Sequence, residues 1–147
     1  MRAVVTRVTS ASVAIDGTVC GAIDGGFLIL LGIGVGDTVR EAVKLADKIC
    51  NLRVFEDENG KMNLNLKAAG GSILVVSQFT LYGDCRQRRP GFTGAARPDA
   101  AIPLYELFMA ECAAQGYRVE HGRFGADMAV SSVNDGPVTL ILDTDTL

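Results

Sequence analysis

The sequence predicts an α+β fold: a mainly antiparallel sheet or open barrel with two principal helices in a single domain. Three observations carry this. Extended segments outnumber helical ones and alternate with them irregularly, unlike a strictly repeating βαβ chain. Two stretches, one in each half of the chain, place apolar residues at helical spacing. And 147 residues, 48% of them hydrophobic and 21% charged, suffice for one core, with no repeat or linker to divide it.

Taken in order, Val4, Thr6 and Val8 alternate with Val5 and Arg7, which marks a strand from Met1 to Ile15. Asp16-Gly17 is a two-residue hairpin signal, and Val19 to Ile23 returns. Gly25-Gly26 turns the chain into Phe27 to Gly34, an apolar strand. Asp37 or Thr38 then caps a helix with Val39, Ala42, Val43, Ala46, Ile49 and Cys50 at helical spacing and Arg40, Glu41, Lys44, Asp47 and Lys48 on the other face. Arg53 to Phe55 is a short strand, the segment EDENG a turn, and Met62 to Leu66 extended. After Gly70-Gly71, the segment SILVVSQFTLYG reads as the clearest strand. Asp84 to Arg97 is a loop. Pro98 or Pro103 opens a second helix with Leu104, Leu107, Phe108 and Cys112 on one face, ended by Gly116. Tyr117 to Phe124, Met128 to Val133 and Pro137 to Asp143 complete the extended segments.

Composition excludes several chemistries. The one histidine, His121, is not joined by a G-x-S-x-G elbow or a cluster of metal-ligating residues, so a histidine-based hydrolase and a metalloenzyme are both disfavoured. Cys20, Cys50, Cys85 and Cys112 form no C-x-x-C pair and are expected to be reduced, with Cys50 and Cys112 as helix residues in the core. The run GIGVGD joins a strand to a helix but has Asp37 where a dinucleotide fingerprint needs glycine. A tight turn ending in a helix cap explains it. Phe27 to Val35 is about half the ~20 residues of a membrane span. MRAVVTRVTSASV carries Arg7 inside its apolar run and holds no secretory h-region, so a soluble intracellular chain is expected.

Three segments carry candidate chemistry. In SQFTLYG, alternation would set Ser77 and Phe79 on one face and Gln78 and Thr80 on the other. Polar side chains on both faces of a strand mean either the wall of a site or a sheet edge. Asp84 to Arg97 holds four arginines and one aspartate, a local balance of +3 in a chain of total −3. Arg86, Arg88 and Arg89 with Phe92 could hold phosphates and stack a base, or form a solvated loop of salt bridges. In VNDGPVTLILD, Asn134 to Pro137 is turn chemistry before a strand, and the residues alone do not fix the isomer of Gly136-Pro137.

Together SQFTLYGD, RRPGFTGAA and VNDGPVTLILD, preceded by RVTSASV, FEDENGKMN and FGADM, resemble the D-aminoacyl-tRNA deacylases through nearly the whole chain. The resemblance implies a homodimeric cytoplasmic enzyme, with no cofactor or metal, that cleaves the ester joining a D-amino acid or glycine to the terminal ribose of tRNA. It implies a cis Gly136-Pro137 that enters the other subunit's pocket and meets the substrate α-amino group with its carbonyls, so that L side chains are rejected sterically. Arg7 would hold that motif and Met128 line the pocket. Ser77, Gln78, Phe79 and Thr80 would form the catalytic segment. Backbone N–H groups around Phe79 and Thr80 are candidate oxyanion donors, while Ser77 and Gln78 would orient the adenosine or the amino acid. Thr80 as nucleophile would need an adjacent base, and the sequence identifies none, which favours attack assisted by the ribose hydroxyl. Thr6 and Cys85 depart from the family pattern, as does an Arg-rich segment one residue short. The rival reading is a nucleic-acid-binding module without catalysis, built on Arg86, Arg88, Arg89 and Phe92.

Overall fold

The long N-terminal alternation folds as one strand, β1 (Arg2–Ile15), on which the sheet is organised. The computed structural model describes residues 1–147. Asp16 and Gly17, with φ of 50° and 78°, supply the left-handed pair of a two-residue hairpin and set Ile15 opposite Thr18 on β2 (Thr18–Ile23). β3 (Gly26–Gly32) continues along the same edge of β1, antiparallel to its first half. Gly26 is required where the two meet: at φ 150°, a Cβ there would overlap the backbone of Ser72.

α1 (Val39–Cys50) is capped by Thr38, whose side chain and that of Glu41 form a reciprocal capping box. It buries Ala42, Leu45, Ala46, Ile49 and Cys50, whereas Val39 and Val43, expected in the core, are exposed. The apolar stripe is therefore rotated toward Leu45. β4 (Arg53–Glu56) and β5 (Met62–Asn65) form the small hairpin around the EDENG turn, where Asp57 accepts from the N–H groups of Asn59 and Lys61. β6 (Ser72–Ser77), α2 (Pro98–Ala114), β7 (Val119–His121) and β8 (Ala129–Asp143) complete the chain. Pro98 opens α2, and Pro103 lies inside it. Leu104, Phe108 and Cys112 are buried as expected, joined by Ala101 and Tyr105, while Leu107 is half-buried.

Several expectations are corrected. The sheet is mixed, because β3 pairs with β6 and β6 with β7 in parallel. The crossovers that parallel pairing needs are supplied by the two helices. SILVVSQFTLYG does not remain a strand: β6 ends at Ser77, and Phe79–Tyr82 is a 3₁₀ turn. Gln78 makes the last ladder contact, N–H to the Leu31 carbonyl at 2.8 Å, and its own carbonyl accepts the Leu81 N–H. Finally, Met128–Val133 and Pro137–Asp143 are not separate strands but parts of the 15-residue β8, which takes the free edge of β1. Val8 pairs with Asn134 and Thr6 with Thr139, so Asp135 to Val138 bulge out opposite Arg7. The Asn134 side chain closes the bulge, accepting from Val138 N–H and donating to Thr139 Oγ1. Of Tyr117 to Phe124, only Val119–His121 is strand. Tyr117 lies before it, buried, with its hydroxyl donating to the Cys50 carbonyl, and His121 is exposed.

The curved sheet nearly closes into a barrel. A Cβ on Gly21 of β2 would stand 2.7 Å from the His121 carbonyl of β7, so only glycine allows these edges to meet. One core cluster fills the barrel with Val8, Ala11, Val13, Ile23, Leu28, Leu74 and Val76. Alternate residues of the same strands, including Phe27, Ile29, Leu31, Ile73 and Val75, pack outward under α1 and α2. Burial on both faces is why β3 and β6 read as unbroken apolar runs. No helix is long and apolar enough to cross a membrane.

Candidate active site

Where β6 ends, the turn Phe79–Tyr82 folds over the end of β3, and two glycines of GIGVGD make room for it. A Cβ on Gly34 would stand 2.7 to 2.8 Å from the Tyr82 ring, and one on Gly32 3.0 Å from the Gln78 carbonyl and 3.2 Å from Leu81 Cβ. Gly36 at φ 86° makes the tight turn beyond, and Asp37 Oδ2 accepts the Gly34 N–H at 2.6 Å. Tyr82 is tucked in far enough that burial, with the Asp37 and Asp143 carboxylates behind it, raises its phenol well above the ordinary value.

Beside this turn is a cavity of about 270 Å³. Val76, Ser77, Gln78 and Phe79 form one wall, and Phe124 to Met128 with Val130 form the other. Met128 is seated against Gly122, its sulfur occupying the place a Cβ there would take. The cavity thus joins two sequence segments, SQF and FGADM, that lie far apart in the chain. Asp127 is its one charged lining residue, a group that residue patterns did not single out. Phe79 is more than half exposed and meets Phe92 edge to face, ring centroids 5.2 Å apart.

Thr80, next after Phe79 in the turn, is exposed, and its hydroxyl accepts from Gln78 Nε2. An amide donor cannot take a proton, so Thr80 has no base beside it. The first hydrogen bond of the turn is Leu81 N–H to the Gln78 carbonyl. The N–H groups of Phe79 and Thr80 precede it and are the donors a short helical turn leaves without an internal acceptor. No three His, Cys, Asp or Glu side chains converge in the fold to hold a metal. Cys50 and Cys112 are buried, Cys20 and Cys85 exposed, and all four are free thiols.

Gly136 and Pro137 lie elsewhere, exposed on the bulge of β8, and their peptide bond is cis. They do not line the cavity of their own chain. Arg7 is beneath them and buried. Its Nη1 donates to the Val54 carbonyl at 2.6 Å, and its Nε donates to the Asp135 carbonyl at 3.2 Å and faces the Asp135 carboxylate at 3.3 Å. A Cβ on Gly136 would stand 2.8 Å from Arg7 Nη2, so the guanidinium touches the bulge directly.

The Arg-rich loop is closed at its base by reciprocal backbone bonds between Asp84 and Gly91, and Val35 N–H donates to Gly94. Arg86 forks onto Asp84, whose carboxyl that side-chain contact holds below its usual range. Arg88 and Arg89 are exposed and unpaired. Of the ten lining residues the sequence reading named Ser77, Gln78, Phe79 and Met128, and it missed Asp127 and the seat of the turn on Gly32 and Gly34. The signal for that seat was G-x-G at a strand end, with room for an aromatic ring rather than a phosphate.

Known proteins share this arrangement along its length. The sequence model of the family described as D-Tyr-tRNA(Tyr) deacylase matches residues 4–143. A D-aminoacyl-tRNA deacylase of Thermus aquaticus is 59% identical over 98% of this chain and 95% of that protein, and one of Brevibacillus brevis 57% over 98% and 100%. Among solved structures, a c-Myc DNA unwinding element binding protein superposes with a TM-score of 0.92 at 42% identity, covering 98% of this chain and 99% of the other. A probable eukaryotic D-amino acid tRNA deacylase has the same fold, with a TM-score of 0.81 at 15% identity over 96% and 97%. Family model, relatives and fold coincide across the whole chain, which belongs to the D-aminoacyl-tRNA deacylases, hydrolases of aminoacyl-tRNA.

Proposed function

We propose that the chain hydrolyses the ester of D-aminoacyl-tRNA, and of glycyl-tRNA, in the cavity between Ser77–Phe79 and Phe124–Met128. The observation that carries this reading is the short helical turn that opens at Phe79, a lining residue of the cavity beside Gln78, with Thr80 next in the turn. Water attacks the ester carbonyl with help from the neighbouring ribose hydroxyl. The C–O bond to the terminal ribose breaks, and the ribose oxygen takes the proton. The two N–H groups hold the tetrahedral oxyanion, which such donors stabilise by about 2.7–4 kcal/mol each. An aminoacyl ester is already activated, so positioning and charge stabilisation suffice. Gln78, which binds the Thr80 hydroxyl, leaves that hydroxyl without a base and supports the ribose-assisted route over a threonine nucleophile.

In this reading the enzyme works in the cytoplasm as a homodimer. Gly136-Pro137 of the partner subunit completes each cavity, meets the α-amino group with its carbonyls, and blocks an L side chain. Support comes from the exposed bulge that Arg7 holds and from the second edge of β8, which pairs with no strand and carries Val133 and Ile141 outward. The test is deacylation of matched D- and L-aminoacyl-tRNA by purified protein. Fast release of the D-residue with the L-ester untouched is expected; equal rates on both sink the proposal.

A second reading, nucleic-acid binding without catalysis, is favoured by exposed, unpaired Arg88 and Arg89 on the loop that carries Phe92 and by the name of one structural relative, a DNA unwinding element binding protein. It requires tight, salt-dependent binding of DNA or RNA that carries no aminoacyl group. A net charge of −3 weighs against it.

A further inference from the structure

We propose that Arg2 is a positioning residue for the amides of Phe79 and Thr80, acting through the other end of their turn. The proposal rests on reading those amides as the oxyanion donors. The turn is too short to hold its own shape: its bonds are Leu81 N–H to Gln78 at 3.2 Å and Gly83 N–H to Thr80 at 2.9 Å, and Phe79 and Thr80 stand in solvent. Its geometry must therefore be imposed from outside.

One guanidinium imposes most of it. Arg2 Nη1 donates to the Leu81 carbonyl at 2.7 Å, an acceptor that the end of the turn leaves without an internal partner. The same group lies over the Tyr82 ring, 4.7 Å from its centroid, and presses that ring toward the space left by Gly34. Its Nε donates to Asp143 Oδ2 at 2.9 Å. Burial would push the Asp143 carboxyl up, but the Asp145 N–H and Arg2 outweigh it and hold the group below its usual range, so the anchor stays charged. Arg2 is on β1 and Asp143 faces it from β8, so both strands of one ladder hold the turn. A planar fork can meet a carbonyl, a carboxylate and a ring face together, whereas an ammonium on a flexible stem cannot. Oxyanion donors must be fixed to within about 0.5 Å to be effective, which makes this clamp a determinant of kcat rather than of binding.

The experiment combines steady-state kinetics on D-aminoacyl-tRNA with amide hydrogen exchange on wild type, Arg2→Met, Arg2→Lys and Asp143→Asn. Arg2→Met is expected to lower kcat about ten- to a hundredfold while KM stays within about twofold. Exchange at Leu81 and Gly83 should quicken about tenfold or more, with β6 unchanged. Arg2→Lys should fall between the two, and Asp143→Asn, which keeps Arg2 but removes its anchor, should show a smaller loss of the same kind. The proposal is overturned by an unchanged kcat in Arg2→Met, or by exchange that quickens throughout the sheet together with a rise in KM. Should Arg2→Met fail to fold, Asp143→Asn decides: local quickening with lower kcat supports the clamp, and wild-type behaviour overturns it. A wild-type protein that leaves the ester intact overturns the oxyanion reading instead. Exchange needs no substrate, so it still upholds or overturns the clamp itself.

Discussion

Arg7 is the residue on which the bulge of β8 depends, because it is a buried cation whose Nε and Nη1 donate to the Asp135 and Val54 carbonyls while Nε faces the Asp135 carboxylate. Arg7→Met would leave the Val54 carbonyl without its donor in a place water does not reach, at a cost of about 1–3 kcal/mol. Urea unfolding should show that loss, and if the guanidinium holds the Gly136 bulge as proposed, discrimination between D- and L-esters should fall with it. Unaltered stability and unaltered selectivity together would show Arg7 to be a bystander. Gly136→Ala is the complementary change from the other side: φ of 121° and the 2.8 Å approach to Arg7 Nη2 both oppose a side chain. In the sequence Arg7 is visible only as a charge inside an apolar alternation. What makes it central, the bulge opposite it, depends on a strand more than a hundred residues later.

At the scale of elements, local signals were strongest where the chain caps or turns on itself. Asp16-Gly17, Thr38 with Glu41, and Pro98 each act through neighbours within four residues; the hairpin reads directly from the sequence, while at the helix starts the structure selects Thr38 over Asp37 and Pro98 over Pro103. Thr38→Ala should cost about 1 kcal/mol of stability in thermal unfolding and leave kcat untouched, since α1 lies outside the cavity. The end of β6 did not read correctly because SQFTLY follows the apolar run SILVV with no Gly or Pro to break it before Gly83. What bends it is the space at Gly32 and Gly34 on a different strand. The Arg-rich loop belongs to this scale too. If Arg88 and Arg89 meet tRNA phosphates, the double alanine variant should raise KM about three- to tenfold at constant kcat, and flatten the slope of log KM against log salt by about 1.5. A fall in kcat with KM preserved would place the loop in the chemistry instead.

For the whole molecule, the decisive feature is that Gly136-Pro137 and the cavity are separate on one chain while β8 keeps an unpaired edge. A closed two-fold dimer would solve both at once. Sedimentation should therefore give twice the 15.5 kDa chain, and Ile141→Lys, which puts a charge where an exposed apolar side chain stands, should shift the protein toward monomer and reduce activity in parallel. Mixing provides a sharper check. An inactive cavity variant and an inactive Gly136 variant, unfolded and refolded together, should recover about a quarter of wild-type activity, since half of the dimers are mixed and each holds one intact site. No recovery would place both elements in the same subunit's site.

By itself the sequence determined the α+β class, the two helices and the hairpin, because caps, turns and apolar periodicity act over a few neighbours, and motif spacing carries the family. It did not determine the parallel pairings, the fold of Phe79–Tyr82, or the bulge at Asp135–Val138. Each of these rests on contacts between distant segments: β3 with β6, Gly34 with Tyr82, Arg7 with Gly136. Alternation says which face of a strand a residue occupies. Only the packed structure says where the strand stops and what it leans on.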